Sequence, residues 1–276
     1  LKAGCVFADR INTVSPSYAS EIKMPYYAEG LEGILNARSH ELSGIINGID
    51  KTVFNPKTDP AIPAHYDRGH LGGKAKCKAA LQESLGLAAE ADKPIVAMVT
   101  RMTEQKGFDL VAYVIDELMC RGDMQFVLLG SGDARFEDIM RGAENRYKGS
   151  LAAYIGYNET LAHLVYAGSD FLLMPSRFEP CGLSQMIAMR YGTLPIVRET
   201  GGLKDTVIPY NCVTGEGDGF SFANYNALEM RDTIVRALEA YKNKDIMKGL
   251  ISPAMGMDFS FDISAGEYAK LYICML

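Results

Sequence analysis

From Pro94 onward, short apolar runs alternate with stretches whose apolar positions recur every three or four residues. The run "PIVAMV" (94–99) is rich in β-branched residues and is followed by a polar turn. Leu110, Val111, Val114, Ile115, Leu118 and Met119 then recur at helical spacing. "MQFVLLG" (124–130) predicts a second strand, and 134–146 a helix. "LAAYIGY" (151–157) predicts a third strand, followed by a helix marked by Leu161, Leu164 and Val165. "DFLLMP" (170–175) and "LPIV" (194–197) complete five strands, with a helix over 182–192 between them. This alternation predicts an α/β, Rossmann-like fold: a doubly wound parallel sheet covered on both faces.

The flanks differ. "ADRINTVS" (8–15) and "LSGIINGID" (42–50) read as strands around a polar, Gly-rich segment that holds "YYAEGLEG". Pro56, Pro60 and Pro63 make 51–73 a loop, and helical spacing returns at Ala79, Leu81, Leu85 and Leu87. Further helices are predicted over 226–242 and 264–276.

The length of 276 residues is long for one domain and short for two ordinary ones. Hydrophobic content of 48% and charged content of 22% fit a well-packed soluble protein. No apolar run approaches the ~20 residues of a membrane span. The net charge of −6 argues against nucleic acid or an anionic membrane as partner. Six cysteines without a C-x-x-C pair, and no export signal, suggest a reduced, cytoplasmic protein. The four histidines show no metal-site spacing. The chain opens without Met and moves almost directly into a strand-like run, as expected of a piece of a longer protein.

In an open parallel sheet, ligands sit outside the carboxyl ends of the strands. The turns at that end carry Arg101 and Lys106 in "TRMTEQKG", then "GSGD" (130–133), Tyr157, "SRFEPCGLS" with Glu179 and Cys181, and "TGGL" with Gly201 and Gly202. Each has an ordinary explanation: a solvated turn, a core aromatic, a helix cap at Glu179, a small apolar filler at Cys181. Their convergence at one end favours a binding cleft. Two cations facing a helix start at Gly182–Ser184 suit a diphosphate, glycines admit its close approach, and Tyr157 offers a flat face to a base. The absence of a G-x-x-x-x-G-K-[ST] loop and of a G-x-G-x-x-G turn after the first strand disfavours a P-loop kinase and a dinucleotide oxidoreductase. A sugar nucleotide is the natural candidate.

"TRMTEQKG", "PSRFEPCGLSQ" and "TGGLKDTV", with "ADRINTVSPSYASEI", "LSGIINGID" and "GYNETLAHLVYAGSD" in the same order, resemble the C-terminal portion of the bacterial glycogen synthase family, closely similar to plant starch synthases. The resemblance implies the C-terminal half of a GT-B glycosyltransferase, transferring glucose from ADP-glucose to the non-reducing end of an α-1,4-glucan with retention, without cofactor or metal. It places the end of the first domain in 1–50, the nucleotide-binding domain in 51–255, and in 256–276 a helix crossing back. Most of the N-terminal domain would be missing. By matching position, Arg101 and Lys106 correspond to the diphosphate-binding pair and Glu179 to the active-site carboxylate. Gly182, Leu183 and Ser184 correspond to the helix-start donors, Tyr157 to the adenine-stacking residue and Asn47 to a residue near the glucose. The family's Lys- and Gly-rich "K-x-G-G-L" loop and a glucose-lining His of the first domain are not in this sequence. Ile187 stands where the wider retaining GT-B group has a second Glu, as in synthases of this type. The alternative is a nucleotide- or glucan-binding module without turnover.

Overall fold

The computed structural model describes residues 1–276. It begins with helix α1 (Lys2–Phe7), strand β1 (Ile11–Thr13), helices α2 (Pro16–Glu21) and α3 (Glu32–Ala37), and strand β2 (Leu42–Gly44). β1 and β2 pair in parallel as a small separate sheet, with Ile11 opposite Leu42. After an irregular segment come α4 (Gly72–Ser84), β3 (Ile95–Val99), a 3-10 turn at Glu104–Lys106, α5 (Phe108–Cys120), β4 (Gln125–Gly130) and α6 (Ala134–Arg146). The alternation continues with β5 (Leu151–Ile155), α7 (Glu159–Gly168), β6 (Phe171–Met174), α8 (Ser184–Arg190), β7 (Leu194–Arg198), α9 (Gly201–Thr206) and β8 (Phe220–Phe222). Helices α10 (Ala227–Tyr241), α11 (Lys244–Gly256) and α12 (Phe261–Ile273) close the chain.

Strands β3 to β8 form one parallel sheet in the order β5-β4-β3-β6-β7-β8. Both faces are covered. Val96, Met98, Phe126 and Leu128 point into a core with residues of α5, α6 and α10, while Ile95, Ala97, Val127 and Leu129 pack against α4, α7 and α8. Burial on both faces makes β3 a continuous apolar run rather than an alternating one. The strand order places a topological switch point between β3 and β6. There one half of the sheet has been wound outward and the chain returns to start the other, leaving a crevice at the strands' carboxyl ends.

The loop reading of the proline segment agrees with the turns through residue 71. A buried carboxylate fixes it: Asp59 accepts from the Tyr191 hydroxyl at 2.5 Å and from His163 Nδ1 at 2.7 Å. Burial pushes this carboxyl up, but those hydrogen bonds and the Ala61 amide outweigh it and hold Asp59 below its ordinary range.

Several elements differ from the sequence reading. The opening stretch is a helix, not the start of a strand, because Arg38 caps its end by donating to the carbonyls of Cys5, Val6 and Ala8. The two flanking strands shrink to three residues each, and the segment between them holds α2 and α3. β8, on the sheet edge, and α11 escaped the periodicity. α11 carries Pro253 in its interior, a residue that normally ends a helix, but Asn243 caps its start and Met247, Leu250 and Ala254 bury its inner face.

Candidate active site at the switch point

The loop after β3 and the loop after β6 are joined by the backbone before any side chain is considered. The Arg177 amide donates to the Gln105 carbonyl at 2.8 Å. Gly107, at φ 79°, lies so close to the end of β6 that a Cβ there would sit 2.3 Å from the Pro175 carbonyl oxygen. Only glycine permits both the left-handed backbone and the approach. This junction holds Lys106, the last residue of the 3-10 turn, opposite Glu179.

The two side chains meet. Lys106 Nζ lies 2.5 Å from Glu179 Oε2, and the Ser176 hydroxyl donates to the same oxygen at 3.0 Å. Glu179 is 6% exposed, so its charge is compensated inside the crevice rather than by water. Sequence reasoning assigned the two residues separate duties, and their pairing was not legible from it. Arg101 lies exposed on the same β3 loop, five residues before Lys106.

The chain between Glu179 and α8 is shaped to present donors. Gly182 has φ 72°, and the Gln185 side-chain amide straps the turn by donating to the carbonyls of Cys181 and Gly182 and to Thr206 Oγ1. The amides of Gly182, Leu183 and Ser184 donate to no protein acceptor. Leu183 is the half-exposed residue before the helix, and Ser184 Oγ accepts from the Tyr166 hydroxyl at 3.1 Å. Cys181 is buried, and burial pushes its thiol up, an effect partly offset by the nearby Asn47 backbone. Asn47, distant in sequence, thus lies beside the loop that carries Cys181.

Tyr157 is 85% exposed and lines a groove of about 250 Å³ together with Thr100, Arg101, Gly130 and Ser131. Gly201 and Gly202 are buried. A Cβ on Gly201 would sit 2.0 Å from the Glu179 carbonyl oxygen, and one on Gly202 would sit 2.1 Å from that of Cys181. They form the bed on which the Glu179 loop rests. A larger depression of about 650 Å³ lies near the opposite end of the sheet, by Pro94 and Asp123. No glycine lines it.

Ser176, Arg177 and Arg198 are the residues the sequence reading did not single out. Arg198, buried at the end of β7, donates to the carbonyls of Ser176 and Arg177. "SRF" lies inside the motif that drew attention, so the signal for the first two was present, but only the fold shows what they touch. Chemically, the loops at this end of the sheet carry two cations, three backbone donors at a helix start and one compensated carboxylate. That set can hold a dianionic phosphate group and place a carboxylate beside whatever it carries.

The description "Glycosyl transferases group 1" matches residues 83–248, and "Starch synthase catalytic domain" matches residues 1–37. The chain is 49% identical over 272 residues to a glycogen synthase of Bacillus subtilis (strain 168), covering 99% of this chain and 56% of that protein. It is 51% identical over 274 residues to a glycogen synthase of Lachnospira eligens, covering 99% and 57%. Among solved structures, the catalytic domain of starch synthase IV from Arabidopsis thaliana bound to ADP and acarbose superposes with a TM-score of 0.92 at 38% identity, covering 99% of this chain and 57% of that one. A sucrose-phosphate synthase from Thermosynechococcus elongatus, at 20% identity and a TM-score of 0.67, shares the fold. The chain thus spans a little over half the length of these curated relatives. The sheet is the Rossmann-like half of a GT-B glycosyltransferase. With its family description matched across most of the sheet domain and its relatives near half identity along its whole length, the chain belongs to the group 1 glycosyl transferases, among the glycogen and starch synthases.

Proposed function

We propose that this chain forms the nucleotide-sugar wall of a glucosyltransferase that moves glucose from ADP-glucose to the non-reducing end of an α-1,4-glucan with retention. The observation that carries the reading is the Lys106–Glu179 pair at the switch point, flanked by the unpaired amides of 182–184. The relative from Arabidopsis, solved with ADP and acarbose, supports ADP as the nucleotide and a glucan-like acceptor.

In this reading the bond between the anomeric carbon and the diphosphate breaks, and its electron pair leaves with ADP. Arg101, Lys106 and the amides of Gly182, Leu183 and Ser184 receive that growing negative charge. Such groups act because they are already oriented when the charge develops. Glu179 faces the anomeric centre as positive charge builds there. The acceptor 4-hydroxyl forms the new bond on the same face and gives its proton to the departing phosphate oxygen. Tyr157 stacks on the adenine, and Asn47 lies near the glucose. Cys181, Gly201 and Gly202 support the loop from behind. Residues 1–50 belong to the first domain and its crossing, 51–255 to the nucleotide domain, and 256–276 to a returning helix.

The test is transfer of radiolabelled glucose from ADP-glucose to glycogen by the enzyme at the length of its curated relatives, with and without Glu179→Ala. The variant is expected to lose at least ~10²-fold in kcat while ADP affinity changes little. Near-normal turnover would reduce Glu179 to a helix cap. The 276-residue chain alone, lacking the opposing wall that excludes water and aligns the acceptor, is expected to bind ADP without elongating glucan.

A further inference from the structure

Helices α2 and α9 have only six residues each, too short to hold themselves. They lie antiparallel, and each receives at its first turn a carboxylate from the other's last turn. Asp205 accepts from the Ser17 amide at 2.8 Å and from its hydroxyl at 2.6 Å. Glu21 accepts from the Gly201 amide at 2.9 Å and, with both oxygens, from the Thr200 hydroxyl at 3.0 and 3.1 Å. A carboxylate at a helix start compensates both the unpaired amides and the positive end of the helix dipole.

Behind Gly201 there is no slack. The Gly202 amide donates to the Glu179 carbonyl at 3.1 Å, and the two glycines abut the carbonyls of Glu179 and Cys181. A displacement of α9 is therefore a displacement of the Glu179 backbone. The same N-terminal segment touches that loop again further along. The Tyr26 hydroxyl accepts from Arg177 Nε at 2.6 Å, and Arg198, which holds the Arg177 carbonyl at 2.7 Å, reaches the Tyr27 hydroxyl at 3.3 Å. Residues 17–27 thus run as a brace across the loops after β6 and β7.

We propose that Glu21 is a positioning residue for glucosyl transfer: paired with Thr200 and Gly201, and reinforced by Ser17–Asp205, it fixes through Gly202 the place of the Glu179 carboxylate. This rests on the functional reading above. Glu21 is joined by hydrogen bonds to Thr200 and Gly201 and not to Arg101, Lys106 or Glu179, so its removal acts through the backbone of Glu179.

Two measurements test it. In the 276-residue chain, amide exchange followed by NMR is expected to accelerate at Gly201, Gly202 and Arg177 in Glu21→Ala and to return towards wild type in Glu21→Gln, which keeps an acceptor for the Gly201 amide. Acceleration confined to Gly201, with Gly202 and Arg177 unchanged, would overturn the coupling. In the enzyme at the length of its relatives, Glu21→Ala is expected to lower kcat by ~10–100-fold, the scale of an ångström-level misplacement, with KM for ADP-glucose nearly unchanged. Glu21→Gln should recover most of the rate. A variant that melts earlier yet keeps its kcat at a temperature where it is fully folded shows only a structural cap. A wild-type enzyme inert towards ADP-glucose defeats the functional reading instead, and the exchange measurement still decides the coupling.

Discussion

Replacing Lys106 by methionine removes the ammonium from Glu179 while keeping most of the aliphatic bulk. Side-chain exposure is 17% for Lys106 and 7% for Glu179, so water cannot readily take over the carboxylate's solvation. Breaking a buried pair from one side costs about 3–5 kcal/mol, because an uncompensated charge is left behind. The Ser176 hydroxyl still donates to the same oxygen at 3.0 Å, which favours the lower end. At about 3 kcal/mol, and about 2 °C per kcal/mol for a chain of this size, the melting temperature should fall by roughly 6 °C. The double variant Lys106→Met/Glu179→Gln removes both charges and should melt close to wild type, giving a coupling of at least about 2 kcal/mol in the cycle. Circular-dichroism melts of the four proteins at neutral pH provide the data. A single Lys106→Met variant melting within about 1 °C of wild type, or strictly additive effects, would refute the argument that the crevice holds a compensated carboxylate.

Gly201→Ala and Gly202→Ala place a methyl 2.0–2.1 Å from carbonyl oxygens of the Glu179 loop, and Gly201 also has φ 45°. Each should cost at least ~1–3 kcal/mol in urea unfolding and weaken ADP binding by displacing the loop; unfolding curves matching wild type would contradict the packing described. Asp218, buried with its carboxylate accepting from the Ile208 amide at 2.7 Å, has its pKa raised to about 6 by desolvation. Because the folded state binds this proton more tightly than the unfolded one, stability should fall as pH rises from about 4 to about 6 and level off above. Asp218→Asn should flatten that part of the profile and stabilise the protein at pH 8 by on the order of 1–3 kcal/mol; an unchanged slope would remove Asp218 as its cause.

The parallel sheet was legible because its strands are buried on both faces and its helices amphipathic, so two periods alternate without ambiguity from β3 to β7. The end of the sheet that carries the site was legible too, since Arg101, Lys106, Tyr157 and Glu179 all follow strands. What could not be read was whatever depends on residues far apart in the chain. α1 exists because Arg38 caps it, α2 and α9 because each caps the other, and α11 because its packing outweighs Pro253. The same limit applies to the site. Composition placed a lysine and a glutamate in neighbouring turns, but their contact depends on the fit of Gly107 against Pro175. Gly201 and Gly202 read as a loop close to a ligand, and only the fold adds that they also lie close against the Glu179 loop.

The central claim, that the carboxyl ends of β3 and β6 form a nucleotide diphosphate site, is tested most directly by titrating ADP into the 276-residue chain in a calorimeter. One ADP should bind per chain, and Arg101→Ala and Lys106→Met should each weaken it by ~10-fold or more, the worth of one charge-assisted hydrogen bond. No binding heat, or equal affinity in both variants and wild type, would contradict the account.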